Sequence, residues 1–342
     1  MPRTLVGTER PFRREARASR WLLGTGLSVP QRVVANSWFE ERLETSDESI
    51  RRLTGIRERR FAEVHERTSD YAAAAGRAAL ESSGLEAGEI GLVVVATSVP
   101  DVRVPSTANF VVERLGLENA FAYDVNAACS GFLFALSAAD AQLSAGLARH
   151  ALVIGADLYS SIMDMNDRAT CVLFGDGAGA AVISRSGKGR GVLSSWLHSD
   201  GRHAGILGCR GGGTADRESL PALGNQISRI HMEGPSVFRL AVTGCCRAIR
   251  EVLRAAKLVP SQIDRIVPHQ ANRRIIERIA TTFDYPLERM EKNLDRYGNT
   301  AAAAIPIALH EAVDAGRACG GNLVIFVAAG AGFNSAAVLA RL

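Results

Sequence analysis

The chain repeats a helix end, a loop and a buried strand at about half its length. The first copy reads Ala79-Leu80, Leu85 and Ile90-Gly-Leu-Val-Val94. The second reads Val252-Leu253, Leu258 and Ile263-Asp-Arg-Ile-Val267, 173 positions later. Leu152-Val-Ile154 and Leu323-Val-Ile325 match at nearly the same spacing. Segments rich in Ala, Leu and Val can also match by coincidence. The sharper interpretation is a duplicated α/β unit with a site between the two copies.

The strands of this unit are apolar along their whole length. Residues 91–96, 151–155 and 322–327 are rich in Val, Leu and Ile and show no alternation of polar and apolar positions. Strands of this kind are buried on both faces, so helices must cover both sides of the sheet. Ala-rich stretches over 69–83, 130–145 and 237–256 are suited to be those helices. The pattern predicts an α/β fold.

Charge sets residues 1–20 apart from the rest of the chain. They hold six Arg and two Glu, and this excess equals the net charge of the whole chain, +4. The remaining body is neutral, which argues against a nucleic-acid binder, since that function needs a broad basic face. We expect residues 1–20 to be a flexible extension, or to lie upstream of the true start. Two halves should follow, over 21–186 and 187–342, with their joint near 186–191.

Targeting signals and metal-binding patterns are missing from the sequence. No apolar run approaches the roughly 18 residues of a membrane span, and no apolar segment follows the first arginines as in a secretory signal. The six scattered cysteines form neither a CxxC pair nor a metal-ligand spacing. We therefore expect a cytoplasmic protein without a metal site.

Cys129 is the candidate nucleophile. It lies in Ala127-Ala-Cys-Ser-Gly-Phe132, after a predicted strand over 120–125 and at the start of a predicted helix. The positive end of a helix dipole lowers the pKa of a thiol and favours the thiolate, which attacks thioesters. A buried, inert cysteine is the alternative. The small neighbours favour a reactive cysteine, because they leave room for a substrate.

Two polar motifs occupy related positions in the second copy. His269, in Pro268-His-Gln-Ala-Asn272, follows a buried strand, where α/β proteins place their sites. Asn299, in Tyr297-Gly-Asn-Thr, lies in the loop that mirrors the cysteine loop, because Ala302 is the repeat mate of Cys129. Alone, the histidine reads as a core residue and the asparagine as a helix cap. Together with the cysteine they indicate a site.

Three glycine-rich segments admit simpler readings. Residues 175–179 and 330–333 can both be plain hairpin turns. The second can also supply a backbone N–H to an oxyanion. Residues 209–214 are expected to form a surface excursion, since the Lys-Ser/Thr of a phosphate loop does not follow the glycines.

In order along the chain, AACSGF with Cys129, PHQAN with His269 and YGNTAAA with Asn299 resemble the β-ketoacyl-acyl carrier protein synthase III family of the thiolase superfamily. The resemblance runs from about Trp21 to Leu342. It includes TSD at 45–47, TGIRER at 54–59, FGDGAGAAV at 174–182 and LHEAV at 309–313. It implies a five-layered α-β-α-β-α fold that forms homodimers. Degradative thiolases have a second Cys in the C-terminal glycine loop and elongating synthases use two His, and this chain matches neither.

The resemblance also implies a reaction. Cys129 would take an acyl group from a thioester, and malonyl-acyl carrier protein would then lose carbon dioxide beside it. His269 and Asn299 would stabilise the enolate, and the backbone N–H groups of Cys129 and Ala331 would hold the oxyanion. The implied partners are acyl carrier protein and the acyl- and malonyl-thioesters, and no metal or redox cofactor is implied. The product would start a fatty acid or a polyketide.

Several CoA-binding positions depart from the family pattern. The Arg that stacks on the CoA adenine corresponds to Arg168, but its Trp partner is Ser49, and a further basic contact falls at Leu53. Loss of one stacking face costs about 1–3 kcal/mol, by analogy with base stacking on aromatic side chains. The resemblance places Asn272 at the phosphopantetheine arm. It places Arg274 where the acidic carrier protein docks.

The acyl pocket departs from the pattern too. Two bulky positions of the family's pocket correspond to Val104 and Ala329. We therefore expect a carrier-bound acyl donor, or an acyl group bulkier than acetyl.

The main prediction is a condensing enzyme that forms a carbon–carbon bond. The alternative is a related acyltransferase in which Cys129 passes the acyl group to an oxygen, nitrogen or sulfur acceptor, with His269 as general base. Asn299 favours condensation, because acyl transfer has less need to stabilise an enolate. A non-catalytic partner subunit is disfavoured, since all three side chains are present.

Overall fold

The computed structural model describes residues 21–185, 190–209, 214 and 229–342. The basic segment 1–20, the middle of the expected joint (186–189) and the glycines at 211–213 lie outside the described residues. The predictions made for them stay predictions. None of the described helices is long and apolar enough to cross a membrane.

The described parts of the chain alternate between strands and helices. The strands are β1 (Leu22–Ser28), β2 (Val33–Ala35), β3 (Glu58–Arg60), β4 (Leu92–Ala96), β5 (Phe121–Val125), β6 (His150–Leu158), β7 (Asp176–Ser184), β8 (Gly191–Ser199), β9 (Leu207–Cys209), β10 (Ile230–Met232), β11 (Arg265–Pro268), β12 (Leu323–Gly330) and β13 (Asn334–Arg341). The helices are α1 (Ser37–Glu40), α2 (Asp47–Thr54), α3 (Thr68–Ser83), α4 (Thr107–Leu115), α5 (Gly131–Ser144), α6 (Gly234–Ala256), α7 (Arg273–Phe283), α8 (Leu294–Tyr297) and α9 (Ala304–Asp314).

Two sheets repeat one topology. The first has the order β1-β7-β6-β4-β5 and the second β8-β13-β12-β11. In these orders the first two strand pairs of each sheet are antiparallel and the third pair is parallel, and the first sheet adds a second parallel pair, β4 with β5. A parallel bridge from Ile266 to Met290 stands where β5 lies in the first sheet. The internal repeat of the sequence is therefore a duplicated α/β unit.

Strand register gives the exact spacing between the two copies of the repeat. Leu92 pairs with Ala151 in the first sheet, and Arg265 pairs with Val324 in the second. Each residue of the second pair thus lies 173 positions after its counterpart in the first pair. The identical Leu-Val-Ile letters at 152–154 and 323–325 are thus offset by two from the structural match. A shift of two keeps every side chain on the same face of a strand, so the apolar pattern hides the error.

Three apolar clusters show five layers. One holds α3 and α4 against the outer face of the first sheet, with Val93 and Val95. A second holds α5 and α9 between the two sheets, and a third holds α6 and α7 on the outer face of the second sheet. Every residue of β4, β6, β7 and β12 is buried. The predicted α-β-α-β-α fold is confirmed, with helices on both faces of each sheet.

One local prediction is wrong. Residues 175–179 are not a hairpin turn, because β7 already begins at Asp176 and continues through them. Their small side chains let β7 pack between α3 and α9 on its two faces. The turn predicted at 330–333 is confirmed, since Gly330 pairs with Asn334 across it.

Candidate active site

A cavity of about 1060 Å³ lies where the two copies meet. Cys129, His269 and Asn299 all line it, although they come from three separate parts of the chain. The structure thus brings together the three side chains singled out by the sequence.

Cys129 is presented by a tight turn between β5 and α5. The Ala128 N–H donates to Asn126 Oδ1 at 3.3 Å, and Ala128 has a left-handed φ of 48°. Such a conformation in a non-glycine residue costs on the order of 1–3 kcal/mol and persists where surrounding contacts demand it. The cysteine follows within the 3₁₀ turn Ala128–Ser130, directly before α5 begins. Its predicted place at a helix start is therefore correct.

The same turn is built again 173 residues later. The Ala301 N–H donates to Asn299 Oδ1 at 2.9 Å, Ala301 has a φ of 47°, and the 3₁₀ turn Ala301–Ala303 leads into α9. Asn299 thus caps this turn, as the simpler interpretation of its motif predicted. Because Oδ1 is held by the turn, the donating Nδ2 is available to the cavity, and no hydrogen bond among the described residues uses it.

Two of the motifs that resemble the family, FGDG at 174–177 and TGIRER at 54–59, contact the Asn299 turn or the segment next to it. The Asn299 N–H donates to the Leu173 carbonyl at 2.9 Å, and the Gly175 N–H donates to the Asn299 carbonyl at 3.0 Å. Arg59, with none of its surface exposed, donates to the Val172 carbonyl at 2.6 Å. The FGDG and TGIRER motifs therefore position Asn299 and need not touch a substrate.

The predicted direction of the Cys129 pKa is wrong. The side chain is only 5% exposed, and burial, with the charge of Asp157 as a second cause, raises the pKa of its thiol to about 12. A helix start favours the thiolate, but removal from water and a nearby carboxylate oppose it more strongly. The cysteine is a protonated thiol before substrate binds.

His269 is a buried, neutral imidazole. It is 7% exposed, and burial lowers its pKa from 6.5 to about 4. Its backbone N–H donates to the Val327 carbonyl at 2.8 Å, which fixes the residue at the end of the second sheet. Its Nδ1 has no hydrogen-bond partner among the described residues. A neutral imidazole can accept one proton and donate another.

The end of β12 forms the wall beside the cysteine. A Cβ atom at Gly330 would lie 2.8 Å from the Cys129 nitrogen, so only glycine lets the two backbones approach this closely. Ala329 and Ala331, on either side of it, both line the cavity. The predicted oxyanion and acyl positions in this hairpin therefore lie next to Cys129.

The predicted ligand-binding residues gather at the cavity's mouth. Arg168, Ser49 and Leu53 line it, as does exposed Arg274, whose guanidinium carbon lies 5.6 Å from the centre of the Phe238 ring. Asn272 lines it too, but both ends of its side chain have partners. Its Oδ1 accepts from the Arg274 N–H at 2.8 Å, and its Nδ2 donates to the Leu53 carbonyl at 3.1 Å.

Val104 does not line the cavity of its own chain. The residue is 84% exposed, because the loop after β4 points it outward. The prediction that Val104 shapes the acyl pocket is therefore wrong for a single chain. Of the two acyl-pocket predictions, only Ala329 reaches the cavity.

Sequence reasoning missed one residue behind the cysteine. Asp157 is the second-last residue of the apolar strand β6, is fully buried and contributes to the raised Cys129 pKa. The signal was present in the sequence, because an acidic residue close after an apolar run such as 151–155 is a candidate for a structural or functional role. No group of three or more metal-ligating side chains occurs in the described parts of the chain.

Comparison with known proteins gives one consistent family. Residues 123–201 match 3-oxoacyl-[acyl-carrier-protein (ACP)] synthase III, and residues 253–342 match the C-terminal region of that family. The β-ketoacyl-[acyl-carrier-protein] synthase III of Paramagnetospirillum magneticum is 46% identical over 326 residues, which span 94% of this chain and 98% of that relative. The same-named protein of Sphingopyxis alaskensis is 45% identical over 323 residues, again 94% of this chain and 98% of the relative.

Solved structures agree with these sequence matches. β-Ketoacyl-[acyl-carrier-protein] synthase III of Thermus thermophilus superimposes with a TM-score of 0.88 and 44% identity, covering 94% of this chain and 99% of that one. The priming β-ketosynthase of the R1128 polyketide pathway has the same TM-score at 34% identity, covering 94% and 97%. These proteins share the architecture that holds Cys129, His269 and Asn299 in this chain.

Proposed function

The chain belongs to the 3-oxoacyl-[acyl-carrier-protein] synthase III family, and from that premise we propose how its own residues work. It is a condensing enzyme, an acyl-transferring transferase that joins an acyl group to malonyl-acyl carrier protein by decarboxylative condensation, at the start of a fatty acid or a polyketide. The observation that carries the residue roles is the single cavity lined by Cys129, His269 and Asn299.

Cys129 is the nucleophile of the first stage. Its thiol is protonated at rest, so attack on a thioester must be coupled to proton removal, and neutral His269 is the base available in the cavity. The sulfur of Cys129 bonds to the acyl carbon as the bond from that carbon to the donor sulfur breaks. His269 passes the proton taken from Cys129 to the donor sulfur, so the donor leaves as a protonated thiol and the enzyme holds a thioester.

His269 and Asn299 act in the second stage. Each donates a hydrogen bond to the malonyl thioester oxygen as carbon dioxide leaves, because the electron pair of the broken bond moves onto that oxygen. The resulting carbanion attacks the acyl carbon on Cys129. A carbon–carbon bond forms as the bond from the acyl carbon to the sulfur of Cys129 breaks, and the sulfur leaves as a thiolate that takes a proton from water. Burial suits this role for His269, since a neutral ring can donate without carrying a charge of its own.

The backbone N–H groups of Cys129 and Ala331 are the proposed oxyanion hole. The contact between Gly330 and Cys129 supports this, since it brings the end of β12 against the nucleophile. The side chains, the backbone and the thioesters together supply every group that the condensation needs. We therefore propose that no metal or redox cofactor takes part.

Asn299→Ala tests the division of roles. With the acyl-enzyme formed first, this variant should release carbon dioxide from malonyl-carrier protein about 100-fold more slowly, since one enolate donor is lost. Acylation of Cys129, followed by intact-protein mass, should stay measurable, and Cys129→Ala gives the unacylated baseline. If Asn299→Ala keeps both activities, its assigned role is wrong. An acyltransferase to an oxygen, nitrogen or sulfur acceptor would instead show acylation without carbon dioxide release in the wild type.

The acyl group is proposed to be bulkier than acetyl. Part of the cavity's lining comes from the second sheet and from helices α6 and α7, and this part is apolar. It consists of Ala241, Cys245, Ile275, Ile279, Val327 and Phe333. The small side chain of Ala329, which also lines the cavity, leaves room beside these residues, and an apolar lining favours a hydrocarbon chain.

Competing thioesters test the acyl preference. Wild-type Cys129 should be labelled faster by butyryl- and octanoyl-thioesters than by acetyl-CoA. Ala329→Phe should lower the octanoyl-to-acetyl ratio by about tenfold, since the ring takes up cavity volume near Cys129. Ala329→Gly is the matched control and should leave that ratio high. Rapid labelling by acetyl-CoA with indifference to longer or carrier-bound groups would refute the proposal.

Carrier protein is the proposed partner at the cavity's mouth. Arg274 is exposed there, over the Phe238 ring, and can meet an acidic surface. Arg168 also lies at the mouth, and Ser49 leaves it without the second stacking face for a CoA adenine. Arg168 and Asn272 remain the proposed contacts of the phosphopantetheine or CoA arm. Together these features favour a carrier-bound acyl donor over CoA.

Assembly and location are proposed on separate grounds. β5 is an edge strand whose residues are exposed or half-buried, including Phe121 at 42%, so a second copy of the chain is its proposed cover. The free cysteines support a reducing, cytoplasmic location. The two sheets support halves divided near residue 186, the second of which carries His269 and Asn299.

A further inference from the structure

The side chain of Asp157 accepts five hydrogen bonds, although it has no exposed surface. Four of these hydrogen bonds go to Oδ1 and come from the three residues after β4. The donors are Thr97 Oγ1 at 3.1 Å, the Ser98 N–H at 2.8 Å, Ser98 Oγ at 3.1 Å and the Val99 N–H at 3.1 Å. One carboxylate oxygen thus holds the loop that follows a central strand of the first sheet.

The other oxygen reaches the second copy of the fold. Asp157 Oδ2 accepts from the Ala302 N–H at 3.0 Å. Ala302 lies three residues after Asn299, in the turn that Asn299 itself caps. The two oxygens of a single buried carboxylate therefore connect the first sheet to the turn that presents Asn299.

The repeat shows that packing alone does not require an acid here. The mate of Asp157 in the second copy is Gly330, which packs against Cys129, just as Asp157 contacts Ala302. One copy fills this position with no side chain and the other with a carboxylate. Among the described residues no Lys or Arg forms an ion pair with Asp157, so its charge is held by hydrogen bonds from neutral donors alone. Burying such a charge costs free energy, so we expect the carboxylate of Asp157 to have a role in function.

We propose that Asp157 is a positioning residue, which holds the Asn299 turn in register with Cys129 and places a negative charge behind that cysteine. The inference rests on the proposed function, because it assigns Asp157 an effect on the decarboxylation step given to Asn299. It is not a catalytic residue, since no substrate atom needs to touch it.

Asp157→Asn is the first test. An amide nitrogen would face N–H donors that the carboxylate now accepts, so the Asn299 turn should shift. Carbon dioxide release from malonyl-carrier protein should fall about 100-fold, the loss expected for a displacement near 1 Å. Acylation of Cys129 should fall less than about tenfold, because the cysteine turn keeps its own contacts. A merely structural role would lower both rates together.

The rate at which iodoacetamide alkylates Cys129 at pH 8 tests the effect of the Asp157 charge on the thiol. Burial and the charge of Asp157 raise the pKa of the Cys129 thiol, so removing that charge should speed alkylation by about tenfold. Asp157→Glu keeps the charge while disturbing the contacts, and it should not speed alkylation. The other titratable groups around the cysteine stay unchanged in both variants. They are Tyr159 and His269 beside it and Glu44, Arg168, Cys209, Cys245 and Arg274 along the cavity.

Asp176→Asn is the matched control. Asp176 is also fully buried, and burial raises its pKa to about 6, as it does for Asp157. Its oxygens accept from the Ala62 N–H and from Ser160, not from the second copy. The Asp176→Asn variant should therefore be alkylated at Cys129 at the same rate as the wild type.

Thr97→Val covers the case in which Asp157→Asn does not fold. It removes one donor to Oδ1, outside the cavity, and should slow carbon dioxide release about fivefold with less effect on acylation. Equal losses in both steps, or equal gains in alkylation for Asp157→Asn and Asp157→Glu, would overturn the proposal. If the wild type itself releases no carbon dioxide, the proposed function fails instead, and the alkylation result still decides the charge effect.

Discussion

At the residue scale, burial decides the chemistry of the site more than sequence position does. A cysteine at a helix start suggests a thiolate, yet Cys129 is a protonated thiol because it is removed from water and lies near Asp157. His269 is neutral for the same reason. The identity of these residues was readable from the motifs, but their protonation depends on what surrounds them.

The first prediction concerns His269. Because burial lowers its pKa from 6.5 to about 4, its ring should stay neutral in the folded protein at pH 5.5. In the unfolded chain it gains a proton near pH 6.5. It therefore contributes stability above that pH and loses the contribution as the pH falls towards 4. NMR titration of labelled histidine, with His269→Asn to assign the signal, checks this. A midpoint near 6.5 would contradict it.

At the element scale, one strained turn serves two purposes. Asn126 and Asn299 each cap a turn with a left-handed alanine, and the two φ values are 48° and 47°. The first copy uses the turn to present Cys129 and the second to present the amide of Asn299. The motif letters marked both turns, but the left-handed alanines were not predictable, since alanine rarely adopts this conformation. The tertiary contacts of both turns supply the reason.

The second prediction tests how tightly β6 meets the Asn299 turn. A Cβ at Gly155 would lie 2.2 Å from the Ala302 carbonyl oxygen, so Gly155→Ala must displace backbone. We expect it to lower the free energy of unfolding by about 3 kcal/mol in urea denaturation. Gly88→Ala is the control, because its nearest neighbour, Asn119 Nδ2, is 3.7 Å away. A change there should stay below about 0.5 kcal/mol. Equal effects would show that the close approach is not tight.

At the scale of the whole molecule, duplication places the site where the copies meet. Each copy buries its sheet between helix layers, and the central layer, α5 and α9, is shared by both. The helices of this layer begin at the two presenting turns, which is why Cys129 and Asn299 line one cavity. β5, at one edge of the first sheet, has residues that are exposed or half-buried in the single chain.

The third prediction concerns that edge. If a second copy covers β5, Phe121→Asp brings two like charges together across a twofold axis and should convert a dimer to monomers. Light scattering after gel filtration measures the mass. Val259→Asp, at an apolar residue 54% exposed in the second copy, should not change it. A wild-type monomer, or a dimer untouched by Phe121→Asp, would contradict the proposed interface.

The sequence by itself determined the duplicated α/β fold and the three side chains of the site. Apolar strands and repeated motifs are local patterns, and they survive in the order of residues. Only the tertiary structure decided the protonation of Cys129 and His269, the outward position of Val104, the apolar lining of the cavity and the link from Asp157 to Ala302. Each of these depends on residues far apart in the chain. Burial, cavity shape and shared hydrogen bonds exist only once the two copies have packed together.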